Sequence, residues 1–174
     1  GGSGGTAGSA GTDATPVSAG GNGGAGGAGA AGVAGVGAPN TIIATIGGFN
    51  FPQGVAVSPD GARAYVTNLS PGTVSVIDTV TNRVIATIPD ASGAAGGTIA
   101  LSPDGARAYV TRGTTVSVIN TASNTFVTTV FGFFQAGGLA VTPDGTRVYV
   151  SNTQNATVSV IDTATNRVLN FRIT

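Results

Sequence analysis

The chain has 174 residues and carries seven arginines against seven aspartates, a formal charge of zero, with no Lys, Glu, His, Cys, Met or Trp. That balance argues against the basic patch of a nucleic-acid binder and the clustered Lys/Arg of a membrane-surface binder, and the missing cysteines exclude disulfides and thiolate metal sites. No apolar run approaches the roughly 18 residues of a membrane-spanning helix.

Residues 1–39 hold 16 of the 30 glycines. Glycine loses the most backbone entropy on ordering, and Gly, Ala and Ser side chains bury little in return, so this stretch is expected to be a disordered Gly/Ala-rich tail or linker. A chain that begins Gly1-Gly2-Ser3-Gly4-Gly5 and contains no Met is expected to be cut from a longer protein, with any targeting segment in the part removed. The run Gly20-Gly21-Asn22-Gly23-Gly24-Ala25-Gly26-Gly27-Ala28-Gly29 resembles the glycine-rich domain of mycobacterial PE-PGRS surface proteins.

From residue 40 onward the chain is rich in Val, Ile, Thr and Ala and repeats itself. Ser58-Pro59-Asp60-Gly61 recurs as Ser102-Pro103-Asp104-Gly105 and Thr142-Pro143-Asp144-Gly145. Tyr65-Val66-Thr67-Asn68 recurs as Tyr109-Val110-Thr111-Arg112 and Tyr149-Val150-Ser151-Asn152, and Thr73-Val74-Ser75-Val76-Ile77-Asp78 recurs at 115–120, with Asn120 in the Asp position, and at 157–162. The last of these motifs recurs every 42 residues, and the first two at 44 and then 40. The insertions and deletions fall between the motifs, as they do when the motifs are strands.

Asn40–Ile46 matches Asn82–Ile88 at the same interval and reads as the last strand of a preceding blade. Three units follow, at 47–88, 89–130 and 131–174. Each reads as four strands. The first is Gly54–Val57, with copies at Gly97–Leu101 and Gly138–Val141, and a Ser-Pro-Asp-Gly turn follows it. Pro presets φ at the second turn position and Gly accepts the left-handed conformation at the end. Arg63–Thr67 alternates, with Ala64 and Val66 on one face and Tyr65 and Thr67 on the other. Thr73–Ile77 and Arg83–Ile88 complete the unit. No stretch carries a helical apolar stripe.

Four strands per roughly 42 residues is the pattern of a propeller blade. The combined Ser-Pro-Asp-Gly, Tyr-Val-Thr-Asn and Thr-Val-Ser-Val-Ile-Asp motifs, spread over residues 41–174, resemble the YVTN family of bacterial and archaeal β-propeller repeats. The resemblance implies a surface-protein setting and closure into seven blades. The expected fold is all-β: a partial β-propeller of three consecutive four-stranded antiparallel blades plus one leading strand. Three blades leave two open faces that need a neighbour, so the chain is expected to be a fragment or truncation, or else a unit that closes with other copies.

The charges mostly belong to the repeat. Asp60, Asp104 and Asp144 are one turn position. Arg63, Arg107 and Arg147 are one strand position, expected to pair with that Asp or to cover apolar surface. Asp78 matches Asp162, and Arg83 matches Arg167. Of the remainder, Asp90 in the long inter-blade loop and Arg112 in place of the motif Asn are the ligand-site candidates, because inter-blade loops can line the mouth of a propeller channel. General acid–base work, a nucleophile–base pair and a zinc site all need residue types this sequence lacks, and no Asp-x-Asp cluster suits calcium. No catalytic residue, cofactor or metal is therefore expected. Phe131-Gly132-Phe133-Phe134, with Phe49 and Phe51 in the first unit, reads either as inter-blade core or as an exposed aromatic patch.

These readings converge on a non-enzymatic cell-surface, cell-wall or secreted module for protein or ligand interaction, with a protein or cell-envelope partner, self-association or further blades. The alternatives are a lactonase-like hydrolase whose active-site residues lie in other blades, and a truncated product without independent function.

Overall fold

The computed structural model describes residues 42–89 and 97–169, and among them there is no helix. The chain divides into two units, Gly1–Thr45 and Ile46–Thr174. Of the first, residues 42–45 carry no regular structure, and the tail at 1–39 lies outside the described residues. The second unit is three four-stranded antiparallel sheets. β1 (Pro52–Val57), β2 (Arg63–Asn68), β3 (Thr73–Asp78) and β4 (Arg83–Pro89) form the first blade. β5 (Ile99–Leu101), β6 (Arg107–Arg112), β7 (Thr115–Asn120) and β8 (Thr125–Phe131) form the second. β9 (Ala136–Val141), β10 (Arg147–Asn152), β11 (Thr157–Asp162) and β12 (Arg167–Leu169) form the third. Within each sheet the spatial order follows the chain, the meander of a propeller blade.

The leading strand expected at 40–46 is not formed over its described residues. Residues 42–46 pair with no strand, and Ile42 and Ile43 are exposed. A fourth strand exists by pairing with the third strand of its own blade, and no such strand stands beside these residues among those described.

The turns form as their residues dictate. In all three blades the last Gly of the Pro-Asp-Gly turn donates its N–H to the first residue's carbonyl at 2.8 Å and has φ near +70° (Gly61 72°, Gly105 70°, Gly145 71°). The second hairpin end uses a different device. Asn82, Asn124 and Asn166 sit at φ between 52° and 54°, a left-handed region that Asn tolerates better than most residues. The preceding Asp78 and Asp162 each accept the N–H and the hydroxyl of the Thr three residues on, at 2.7–2.8 Å, the Asx-turn that Asp favours.

Strand register assigns every apolar side chain to one of two faces. Tyr65 lies opposite Ala56 and Val76, and Val74 opposite Ile88, so these share one face. Val66, Ile77 and Val57 belong to the other. The alternation read from Arg63–Thr67 is thus present, and Tyr65, Val66 and Thr67 are all buried. The Tyr face of the first blade (Tyr65, Val74, Val76, Ile88) packs on the Val face of the second (Ile99, Ala108, Val110, Ile119). The same interface repeats one blade on, with Tyr109, Val116, Val118 and Val130 against Val148, Val150 and Ile161. The core therefore lies between blades. Phe133 joins the second cluster with 2% exposure, whereas Phe131, Phe134 and Phe51 are exposed, so both readings of the aromatic segments hold, each for different residues.

First strands of successive blades run side by side, β1 by β5 and β5 by β9. The Thr67 hydroxyl donates across to the Gly97 carbonyl at 2.8 Å, and the Thr98 hydroxyl to the Gly137 carbonyl at 2.6 Å. This approach requires glycine. A Cβ on Gly54 would lie 2.6 Å from the Gly97 carbonyl oxygen.

Candidate functional site

Two grooves of about 540 Å³ each open on the rim that carries the Pro-Asp-Gly turns, one at each blade boundary. Both are built from the same parts. Asp60, Arg63 and Tyr65 of one blade face Gly105, Thr121 and Ala122 of the next. One repeat on, Asp104, Arg107 and Tyr109 face Pro143, Gly145 and Thr163.

Each turn Asp is held by its own loop. Asp60 Oδ1 accepts the Ser58 hydroxyl at 2.5 Å and the Ala62 N–H at 3.0 Å, and Asp104 repeats this with Ser102 and Ala106. Asp144 accepts the Thr142 hydroxyl, the Thr146 N–H and the Thr146 hydroxyl. Donors aimed at a carboxylate favour its charged form. These carboxyls accordingly lie below the ordinary 3.8, and Asp144, with the extra hydroxyl, is lowered to about 2. A carboxylate that acidic is a poor general base at neutral pH.

The arginine of this rim joins the blades. Arg63 Nη1 donates 3.2 Å to the Thr121 carbonyl of the second blade. Arg107 Nη1 donates 3.2 Å to the Thr163 carbonyl and 3.4 Å to Asn166 Oδ1 of the third. The charge of Arg63 is the smallest of the influences lowering Asp60. The expected pairing with the turn Asp therefore gives way to an inter-blade clasp, in which the guanidinium reaches the backbone carbonyl that directly follows the neighbour's third strand. The clasp at the first boundary is single: Asn124 Oδ1, the counterpart of Asn166 Oδ1, is buried without a partner.

Sequence reasoning missed the role of the motif Asn. Asn68 Nδ2 donates to Ser75 Oγ at 3.0 Å and Thr73 Oγ1 at 3.2 Å, while its Oδ1 accepts the Asn50 N–H at 3.3 Å. Asn152 does the same with Ser159, Thr157 and the Phe134 N–H. The signal was present: Asn and Ser recur together seven residues apart in the first and third units. Arg112, the substitute in the second blade, is half-buried at the end of β6, where its carbonyl accepts the Thr115 hydroxyl at 3.1 Å. It lies at the β6–β7 hairpin, the opposite end of the sheet from the Pro-Asp-Gly turns. Asp90 lies outside the described residues.

A further groove of about 440 Å³ runs between outer strands, lined by exposed Phe131 and Arg167 with Gly132, Asn166 and Val168. Among the described residues no group of three or more His, Cys, Asp or Glu could hold a metal ion, and no helix is long and apolar enough to cross a membrane.

No family model matches the chain. Its glycine-rich N-terminal tail is similar to the PE-PGRS family protein PE_PGRS18 of Mycobacterium tuberculosis (strain ATCC 25618 / H37Rv), 56% identical over 48 residues, which are 28% of this chain and 10% of that protein. Among solved structures, a chain of Kuenenia stuttgartiensis hydrazine synthase superposes with a TM-score of 0.65 at 24% identity, over 75% of this chain and 38% of that one. The structure of U3-55K superposes with a TM-score of 0.61 at 19% identity, over 68% of this chain and 38% of that one. The RRP9 WD40 repeats give 0.61 and 19%, over 68% and 37%. The chain thus spans well under half the length of these proteins. At such identities the likeness is one of fold: three consecutive blades of a WD40-like propeller.

Proposed function

We propose that this chain is a non-enzymatic propeller module that binds a protein partner at the cell surface, in the cell wall or after secretion. One observation carries the reading: the charged side chains of the grooved rim are engaged in holding turns and joining blades. Asp60, Asp104 and Asp144 are acidic through donors from their own loops, and Arg63 and Arg107 bridge to the next blade. What the rim offers a partner is shape: repeated grooves with proline and small residues at their lips, on a rigid scaffold. The similarity of the tail to a PE-PGRS protein and the likeness of the repeat motifs to YVTN propellers support the surface setting.

The test is capture from cell-envelope fractions by the whole chain, beside a variant that fills the first groove. Ala122 is exposed and lines that groove, so Ala122→Arg should abolish capture while Val127→Lys, on an outer strand, should not. Capture that is absent, or indifferent to Ala122→Arg, counts against the reading. The hydrolase alternative predicts lactone turnover that disappears on changing Asp90 or Arg112, and we expect no turnover above background.

A further inference from the structure

Outer strands of successive blades meet twice, β4 with β8 and β8 with β12, and the two meetings differ in their side chains. At the first, Ile88, Pro89 and Phe126 help to line a space with no room for a water molecule. At the second, the positions one repeat on are Val130, Phe131 and Val168, and they line the groove of about 440 Å³. Valine in the place of Phe126 leaves the space unfilled, and a Cβ on Gly132 would only just touch Val168, at 3.9 Å. The lining changes character as well. Arg167 stands where the first meeting has Thr125, and the Phe131 ring, 71% exposed, where it has Pro89. Arg167 is exposed and has no hydrogen-bond or ion-pair partner among the described residues. No aspartate lines the groove. Asp162, opposite Arg167 in the β11–β12 pair, has its Oδ1 occupied by the Thr165 N–H and hydroxyl.

We propose that this groove takes an acidic peptide segment of a partner protein, laid in extended form along β8. The unengaged guanidinium of Arg167 matches a carboxylate, with which it makes two parallel hydrogen bonds. Phe131 and Val168 beside it suit an apolar neighbour of that acid. β8 is the last strand of its sheet and pairs with β7 alone, so its outer edge is open to an added strand. Its ladder is regular over Thr128–Phe131, where the strand runs into the groove, and the irregularity falls earlier, at Val127. β8 also lacks the charge and the proline that β4 carries in Arg83 and Pro89, residues of the kind that discourage edge pairing. A single arginine beside an aromatic ring fits one carboxylate, whereas a phosphate chain calls for several cations. The open edge favours a peptide over a sugar acid, which has no backbone to pair with it. This site is separate from the grooves of the Pro-Asp-Gly rim, and the argument for it does not rest on them.

NMR titration of the isotope-labelled whole chain tests this, with capped heptapeptides of alternating Ser and Val whose central residue is Glu, Gln or Lys. The Glu peptide is expected to bind and to shift the amides of Thr129, Gly132 and Arg167, and the Lys peptide is expected not to bind. Arg167→Ala should weaken the Glu peptide by about 5-fold, the worth of one exposed ion pair, and leave the weaker Gln peptide unchanged, a split that a folding defect does not produce. Val168→Phe, which copies the first meeting of outer strands, should abolish binding of both with an unchanged unfolding midpoint. Ala122→Arg, in the rim groove, should leave peptide binding intact, so that failure of the rim reading and failure of this one are told apart. No binding by any of the peptides, equal binding of the Glu and Lys peptides, or binding indifferent to both Arg167→Ala and Val168→Phe would each overturn the proposal. Glucuronate shifting the same amides where the Glu peptide does not would assign the groove to sugar acids and overturn it as well.

Discussion

The arginine at the start of the second strand shows how one side chain serves a boundary between blades. Its long stem lies along the groove wall and its guanidinium ends on a carbonyl of the next sheet. Removing it leaves that carbonyl to water and takes away a charge-assisted bond, worth about 1.5–3 kcal/mol in general; because Arg107 is only half-buried, Arg107→Ala should cost at the lower end of that range, read as a fall in urea midpoint with an unchanged slope. Asn152→Ala should cost more relative to its size. It strips the partner from the Ser159 hydroxyl and from the Phe134 N–H, and an orphaned buried group costs about 1–3 kcal/mol. The turn aspartates predict a pH dependence. Their carboxyls are more acidic folded than unfolded, so their contribution is fully present above the unfolded value of 3.8 and is lost as pH falls through the folded one, about 2 for Asp144. Unfolding midpoints followed from pH 5 to pH 2 should therefore drop in that window. Asp144→Asn should flatten the drop; an unchanged profile would show that these hydrogen bonds do not persist in solution.

At the scale of elements, two kinds of backbone demand shape the blade. One is the left-handed residue that closes the hairpin between third and fourth strands, supplied each time by Asn. Asn82→Ala should destabilise the chain by about 1 kcal/mol, since a Cβ-bearing residue without Asn's local hydrogen bonding is strained there. The other is the close pass of neighbouring first strands. A Cβ on Gly54 would run into the Gly97 carbonyl of the next blade, so Gly54→Ala should push blades apart and lower stability by about 1–3 kcal/mol. Strand positions were legible in the sequence because alternation and turn chemistry are local. Strand ends were less so: β5 begins at Ile99, two residues after the expected Gly97, because the Thr111 hydroxyl takes up the Thr98 N–H and interrupts the regular ladder at that point. The leading strand failed for a different reason. Its sequence suits a fourth strand, but pairing needs a third strand beside it.

At the scale of the whole molecule, blades are equivalent in sequence and unequal in surroundings. Val116 and Val158 share a repeat position, yet one is fully buried and the other 62% exposed. In dilute, monomeric chain, Val116→Ala should cost about 1–3 kcal/mol from lost burial, while Val158→Ala should stay within about 0.5 kcal/mol. A linear array in which each unit contacts only its neighbours behaves this way, with the end units weaker than the middle one.

What the amino-acid sequence determined by itself was everything that a 42-residue unit decides internally: four strands, their turns, the two faces of each strand, and the absence of the residue types that acid–base and zinc chemistry need. Those follow from backbone sterics, side-chain alternation and composition, which act over a few residues. Only the tertiary structure decided what lies between units. It turned both strand faces into core, sent Arg63 and Arg107 across to the next blade instead of to their own turns, divided the phenylalanines between core and surface, and left Tyr149 and Val57 uncovered. The reason is physical: a repeated motif is the same in every copy, and what it touches depends on whether another sheet stands beside it.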